Sequence, residues 1–274
     1  MAEVDTGVMR VDRGTLLLAY DDQLRTESET LGAIDVARFG PLLLVTFTGG
    51  RGFVTYRDLG GAGPSQIKSL VSAAVGYYQN NPNIEQVEWK TRGHDVAPGL
   101  HEALVDAGFT PEEPESVMIG QARSLAAEVS LPDGVILRRI EDADDVRAMS
   151  YMTDEAFGDP VSEQRVNDLL RRLACSDGME LWVAETDGRM VSAGRLEPVA
   201  GSDFAGIWGG ATLKPWRGRG IYRALTAARA RSALALGKTL IHSDSTEFSR
   251  PILERSGLIK VSTTTPYTWT RPSN

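Results

Sequence analysis

The stretch Trp216-Arg217-Gly218-Arg219-Gly220-Ile221-Tyr222-Arg223-Ala224-Leu225 decides how this chain is read. Just upstream, residues 204–213 (FAGIWGGATL) are apolar and glycine-rich, are bounded by Pro215, and predict a buried strand. Downstream, Ile221, Leu225, Ala228, Ser232 and Leu236 recur at helical spacing, and Gly237 supplies a C-terminal stop. The stretch is therefore a strand, a short basic glycine turn and a helix. Gly218 and Gly220 let the backbone approach a ligand closely, and the first amides of the helix point out of the turn. Those amides, the helix dipole and the side chains of Arg217, Arg219 and Arg223 together predict a pocket for an anion, most naturally a phosphate or pyrophosphate.

The same residues also read as an arginine-rich surface turn joining two structural elements, and on this stretch alone both readings stay open. A P-loop is excluded, because no Lys-Ser or Lys-Thr follows the glycines. A dinucleotide fingerprint fits poorly, since its glycine spacing and the following acidic ribose ligand are missing.

The run resembles the acyl-CoA-binding motif of the GCN5-related N-acetyltransferases (GNAT), a basic residue followed by spaced glycines (R/Q-x-x-G-x-G/A). Arg217, Gly220 and Tyr222 hold the three marked positions, and Tyr222 departs from the usual Gly or Ala. The resemblance implies that the turn from Arg217 through Gly218, Arg219, Gly220, Ile221 and Tyr222 to Arg223 holds the pyrophosphate of acetyl-CoA. It also implies that backbone groups of Ala211, Thr212 and Leu213 pair with the pantetheine arm as a further strand would.

A chain of 274 residues suggests one large or two medium domains. With 42% hydrophobic and 24% charged residues, the composition is that of a soluble globular protein. The formal net charge of -8 argues against nucleic acid as a partner and is compatible with a cationic amine substrate. Cys175 is the single cysteine, so neither an intramolecular disulfide nor a cysteine metal cluster is expected, and it reads as a small apolar residue packed at a helix end. His94, His101 and His242 show no ligand spacing, and no metal site is expected. The first ten residues, MAEVDTGVMR, lack the basic head and apolar run of a signal peptide, and no segment approaches the length of a membrane span. The expectation is a cytoplasmic protein without a membrane partner, a monomer or a homodimer.

Along the chain, residues 15–20 read as a strand or one helical turn, and residues 41–48 and 53–56 as a hairpin around 49–52. Ser65 is placed to cap a helix carrying Ile67, Leu70, Val71, Ala74 and Tyr78, and a strand through Ile84, Val87 and Trp89 follows. A helix over about 100–107 and a strand around 117–119 end the first half, and 121–130 reads as a polar, alanine-rich joint. The second half predicts a strand at 135–140, helices opened by Asp142 and Ser162, and a hairpin of 181–186 with 189–199 turning at Asp187-Gly188. The strand, basic turn and helix come next, then a strand at 239–243, a short helix at 251–255 and two strands near 259–263 and 267–270.

That order, β-α-α-β-β-β-α-β-α-β-β over roughly 131–271, resembles one complete acetyltransferase domain. A repeat reinforces it: strand 84–90 leads through a helix to Gly108-Phe109, and strand 239–243 through a helix to Gly257-Leu258, two variants of a family ending. The expected fold class is α/β with mixed sheet, in two GNAT-like units. Residues 1–127 form a degenerate copy without a basic glycine turn, and residues 128–274 the complete unit that binds acetyl-CoA.

In this family the strands flanking the basic turn splay, the acyl thioester lies in the opening, and an amine attacks it directly. The family's frequent Asn-x-x-Ala-x-x-x-Tyr, counted back from Gly257, falls here on Thr246, Ser249 and Leu253. Leu253 cannot protonate a leaving thiolate, which is then protonated by water or by another group, Tyr267 first, or leaves as an anion. Ser249 is either a cofactor contact or an ordinary helix cap before Pro251. For the general base the order is Asp244 at the mouth of the splay, then Glu197, then His242 if it faces the cleft, with a water chain as the other option. The activity implied is transfer of an acetyl group from acetyl-CoA to the primary amine of an unknown small molecule. A CoA-binding regulatory module without turnover and a peptide or protein N-acetyltransferase are the alternatives.

Overall fold

The computed structural model describes residues 12–25 and 27–272; the reading of the first ten residues lies outside them. The first half runs α1 (Arg13–Gln23), a 3-10 turn (Glu27–Thr30), β1 (Asp35–Phe39), β2 (Leu42–Phe47), β3 (Arg51–Thr55), α2 (Pro64–Gln79), β4 (Gln86–Arg92), α3 (Leu100–Asp106), β5 (Thr110–Pro111), β6 (Glu115–Gln121) and α4 (Ala122–Leu125). The second half runs β7 (Ile136–Ile140), α5 (Ala143–Phe157), α6 (Glu163–Ala174), β8 (Glu180–Thr186), β9 (Arg189–Pro198), β10 (Phe204–Thr212), a 3-10 turn (Lys214–Trp216), α7 (Ile221–Ala235), β11 (Leu240–Ser245), α8 (Arg250–Arg255) and β12 (Ile259–Thr270).

The local signals that worked are chemically specific. The Asp142 carboxylate accepts from the Asp145 amide at the start of α5, and the Ser162 hydroxyl accepts from the Arg165 amide at the start of α6. Asp187 and Gly188 both take positive φ in the two-residue turn between β8 and β9.

Five readings differ. Residues 15–20 belong to the 11-residue helix α1, capped by Asp12, whose carboxylate accepts from the amides of Gly14 and Thr15. Helix α2 is capped at Gly63, because Pro64 suits the first helical position and Gln66 reaches back to the Gly63 amide (3.0 Å). The alanine-rich joint makes the short helix α4 against α7. Strand β1 lacked an alternating apolar signal because both its faces are largely exposed. The last two strands are one, β12, interrupted only by a register shift between Lys260 and Ser262.

All twelve strands form one mixed sheet, ordered β1-β2-β3-β4-β12-β6-β11-β10-β9-β8-β7, with β5 beside β12. Two pairings are parallel, β3 with β4 and β10 with β11. Each half therefore contributes an antiparallel arm ending in one parallel pair, and the two arms meet at the centre. There the halves exchange strands: β12 of the second half lies between β4 and β6 of the first, and β6 lies between β12 and β11. The sheet is thus continuous across residue 128.

Successive residues on β8 serve opposite layers. Val183 joins the core under α5 and α6, with Val146 and Val166, while Ala184 joins Ile221 and Leu225 of α7. A separate core around Trp89, Tyr78 and Leu104 fills the first half. Helix α7 presents Ala224, Ala227, Ala228, Ala230 and Ala233 inward, and these small side chains let it lie close to the sheet.

Candidate functional site

Strands β10 and β11 pair only at Phe204–Leu240, Ala205–Ile241 and Gly206–His242. Beyond that point β10 continues to Thr212 alongside β9, and β11 continues to Ser245 alongside β6. The two parallel strands therefore diverge, and the edge of β10 through Ala211 and Thr212 faces the opening. A register shift between Trp208 and Ala211, with Gly209 at φ 60°, bends β10 at this place.

The basic turn follows. Gly218 and Gly220 hold φ of 75° and 81°, conformations that a side chain would strain. A Cβ at Gly218 would meet nothing within 4 Å, so the turn is open to solvent there. No group among the described residues accepts from the amides of Gly218, Arg219, Gly220, Ile221, Tyr222 or Arg223. The first turn of α7 holds no acidic side chain, and Arg223 is exposed without an ion pair among the described residues. Free donors, the positive end of a 15-residue helix and a loose cation together favour an anion.

Two of the arginines are placed differently from the sequence expectation. Arg217 turns away from the amides: its Nε donates to the Thr212 carbonyl (2.9 Å) and an Nη to the Ala156 carbonyl (2.8 Å), tying the turn to β10 and to the end of α5. The Arg219 guanidinium lies 4.8 Å from the centre of the Trp216 ring. Tyr222 fits because the strand opposite is glycine; a Cβ at Gly210 would stand 2.6 Å from its ring. Leu213 is buried beside the turn, and Ser249 is half-buried at the start of α8 with its hydroxyl 3.4 Å from the Thr246 carbonyl.

Between the two halves lies a cavity of about 1080 Å³. From the second half, Glu197, Trp208, His242 and Asp244 line it; from the first, Tyr20, Glu29, Arg51 and Lys90 do. The turn between β2 and β3 closes one side, since a Cβ at Gly49 would reach within 3.7 Å of Gln164 on α6. All three residues named as base candidates thus face one space, but in different electrostatic states.

Burial alone would raise the Asp244 carboxyl, but the Lys90 ammonium, 2.6 Å away, holds it below its ordinary value. This carboxylate and its cation come from opposite halves. Glu197 is shared by Arg172 and Arg195, each 3.2 Å away. His242 has no ion pair among the described residues. Its ring meets Trp208 and Phe204 edge-on at centroid distances of 5.1 and 5.8 Å, and burial pushes its pKa down to about 4. It is neutral at pH 7 and can accept a proton or a hydrogen bond. Gly206 makes the arrangement possible, because a Cβ there would stand 2.3 Å from Trp208 Nε1 and 3.0 Å from His242 Nε2.

Leu253 is buried in the core with Met118 and Leu258. Tyr267 lies in the first-half core and its hydroxyl meets His101 Nδ1 at 2.8 Å, away from the cavity wall. The tyrosine that does line the cavity is Tyr20, whose hydroxyl accepts from Arg92 Nε at 3.3 Å and whose pKa burial raises. Sequence reading missed Tyr20, Lys90 and Arg92 because their half carries no motif. Cys175 is exposed at the end of α6, its thiol 3.3 Å from the Arg171 carbonyl, rather than packed as an apolar residue. His94 bridges Ser262 (2.6 Å) and Asp21 (3.1 Å). Among the described residues no group of three or more His, Cys, Asp or Glu could hold a metal, and no helix is long and apolar enough to cross a membrane.

No family model matches the sequence, and no curated protein does. Solved structures do match the fold. A GCN5-related N-acetyltransferase from Kribbella flavida aligns with a TM-score of 0.66 at 14% identity, covering 98% of this chain and 97% of that one. A GCN5-related N-acetyltransferase from Sphaerobacter thermophilus aligns at 0.62 and 20% identity, covering 88% and 77%. A tandem GNAT protein from the clavulanic acid biosynthesis pathway aligns at 0.62 and 15% identity, covering 85% and 79%. The fold is that of the GCN5-related N-acetyltransferases in tandem arrangement.

Proposed function

We propose that the chain is an N-acetyltransferase that moves an acetyl group from acetyl-CoA to the primary amine of a small molecule. The observation that carries this reading is the divergence of β10 from β11 beside an unpartnered row of amides, Gly218 to Arg223. In this reading the amides hold the pyrophosphate, Ala211 to Leu213 pair with the pantetheine arm, and the thioester reaches the cavity past Gly206. Arg217 acts through the backbone it ties down, and Arg223 supplies the loose cation.

The amine nitrogen attacks the thioester carbon, a C–N bond forms, the C–S bond breaks, and the amine loses one proton while the thiolate takes one. His242 is the acceptor best suited to the amine proton, since Asp244 and Glu197 are held by cations. With Leu253 in the core, the thiolate takes its proton from water or from Tyr20. The closed side at Gly49 favours a small acceptor over a polypeptide. The missing Tyr at Leu253 favours the second reading, a CoA-binding module without turnover. Incubating the protein with acetyl-CoA and a panel of amines, reading free thiol, separates the two: amine-dependent thiol release is expected, and tight binding with no release establishes the module.

A further inference from the structure

Trp208 presents an idle hydrogen-bond donor to the cavity. Its side chain is half-buried in the cavity wall, and its indole Nε1 has no hydrogen-bond partner among the described residues. Trp182, by contrast, donates its Nε1 to Glu180 at 2.7 Å. An indole N–H set into a protein wall usually finds an acceptor, so an idle one marks a place for an acceptor that arrives with a ligand. The ring is also held in place. It meets the His242 ring edge-on at 5.1 Å, and Gly206 leaves room for its nitrogen, since a Cβ there would stand 2.3 Å from Nε1.

Its place on β10 says which acceptor fits. In the acetyl-transfer reading the pantetheine arm pairs with β10 from Leu213 back to Ala211, and the thioester follows the same strand toward Gly206. Gly210 and Gly209 place no side chain on that path, so Trp208 is the first one met beyond Ala211. The same Cβ at Gly206 would stand 3.0 Å from His242 Nε2, so an indole nitrogen and an imidazole nitrogen border one point. That arrangement suits the two polar atoms of a tetrahedral carbon, its oxygen toward the indole and its new nitrogen toward the imidazole. The charged groups nearby are committed to one another: Lys90 to Asp244, and Arg172 and Arg195 to Asp177 and Glu197.

We propose that Trp208 is a catalytic residue of the acetyl transfer, its Nε1–H holding the thioester oxygen and the oxyanion that forms there as the amine adds. This rests on the acetyl-transfer reading for the bound thioester. The amine lone pair forms the C–N bond while the carbonyl π pair moves onto oxygen, where the indole N–H meets it. As that pair returns, the C–S bond breaks, the sulfur leaves as thiolate, and the amine proton passes to an unprotonated nitrogen of His242. A donor that is already oriented and free of other partners strengthens as charge builds on the oxygen, with no reorganisation to make. An indole N–H is a donor only, so it does not compete with His242 for the amine proton.

The test uses the full chain, isotopically labelled at the indole nitrogens and followed by NMR, with the Trp208 signal assigned by its nuclear Overhauser contact with the His242 ring. With no amine present, acetyl-CoA is expected to move that signal downfield, and CoA, which lacks the carbonyl, to leave it in place. Trp208→Phe keeps an aromatic ring against His242 and loses the N–H. It should lower kcat about 100-fold on every amine that reacts, the loss of one oxyanion donor. The KM values should stay within about threefold, because the bond is weak to a neutral carbonyl and strong to an oxyanion. Acetyl-CoA affinity by calorimetry is expected to match that of the natural protein. A Trp208 signal that ignores the acetyl group, an unchanged kcat in Trp208→Phe, or a loss confined to KM or to one amine overturns the proposal. If no amine reacts and the signal still follows the acetyl carbonyl, the donor assignment stands and the transfer reading falls; if acetyl-CoA does not bind, both fall.

Discussion

The two halves each carry a strand, a glycine-rich turn and a long helix beside a parallel strand, and they differ in how many of the turn's amides are already satisfied. In the second half β10 and β11 part after three paired positions, and the amides from Gly218 to Arg223 have no partner among the described residues. In the first half β3 and β4 part after four, and the turn Gly60-Gly61-Ala62-Gly63 is just as rich in glycine. There, however, the Asp58 carboxylate accepts from the Gly60 amide (2.7 Å), the Leu59 carbonyl from Ala62 (3.1 Å) and the Gln66 side chain from Gly63 (3.0 Å). Pro64 has no amide to offer. The opening between the strands is filled as well: Arg25, buried against Asp95, donates to the Tyr56 carbonyl at 3.0 Å. Among the described residues, Gly61, Ser65 and Gln66 keep free amides there, but satisfied ones and Pro64 interrupt them, whereas the second half has six in a row. An unbroken row of free donors is what separates a site from a scaffold here. Glycine content does not distinguish them.

The largest expected effect comes from parting the halves. A fragment of residues 128–274 leaves β12 without β4 and β6, and β11 without β6. It should show no cooperative thermal transition by circular dichroism, and co-expression with residues 1–127 should restore one. A stable fragment with its own melting transition breaks the view that each half completes the other.

Next is the ion pair that joins them. Asp244→Asn leaves Lys90 charged in a site where its side chain is 20% exposed, and should cost about 3 kcal/mol, read as a lower urea midpoint. Replacing both partners by apolar residues should recover much of that loss. A normal urea midpoint in Asp244→Asn with turnover abolished instead makes Asp244 the base.

Smaller, and confined to acid, is the effect of His242. Its folded pKa of about 4 lies below the ordinary 6.5, so the unfolded state binds the proton more readily. Stability from this group is complete above pH 6.5 and is lost as pH falls toward 4, by up to roughly 3 kcal/mol. The ring protons followed by NMR should titrate near pH 4, and His242→Gln should flatten that limb of the stability curve. A midpoint near 6.5 places the ring in water rather than among Phe204 and Trp208.

How far the sequence discloses all this depends on the range of the interaction. The caps at Asp142 and Ser162, the Asp187-Gly188 turn and the basic turn are local chemistry, legible within a few residues. The exchange of β6 and β12 is a pairing between segments about 145 residues apart, for example Val117 with Ser262, and leaves no local trace. The cavity is legible by halves: His242, Asp244 and Glu197 follow from the motif, whereas Tyr20 and Lys90 need the halves to be joined. Arg217 shows the same limit, since its placement was read from the motif but its two carbonyl partners are tertiary.

The central claim, that the second half alone offers acetyl-CoA an unbroken row of free amides, is tested most directly by calorimetric titration of acetyl-CoA into three full-length proteins. Gly220→Leu and Gly61→Leu are matched, since both glycines hold positive φ (81° and 72°) and each substitution strains the backbone by about 1 kcal/mol. The account predicts one acetyl-CoA per chain in the natural protein and in Gly61→Leu, and none in Gly220→Leu although it remains folded. Two molecules per chain, or binding lost in Gly61→Leu and kept in Gly220→Leu, would contradict it.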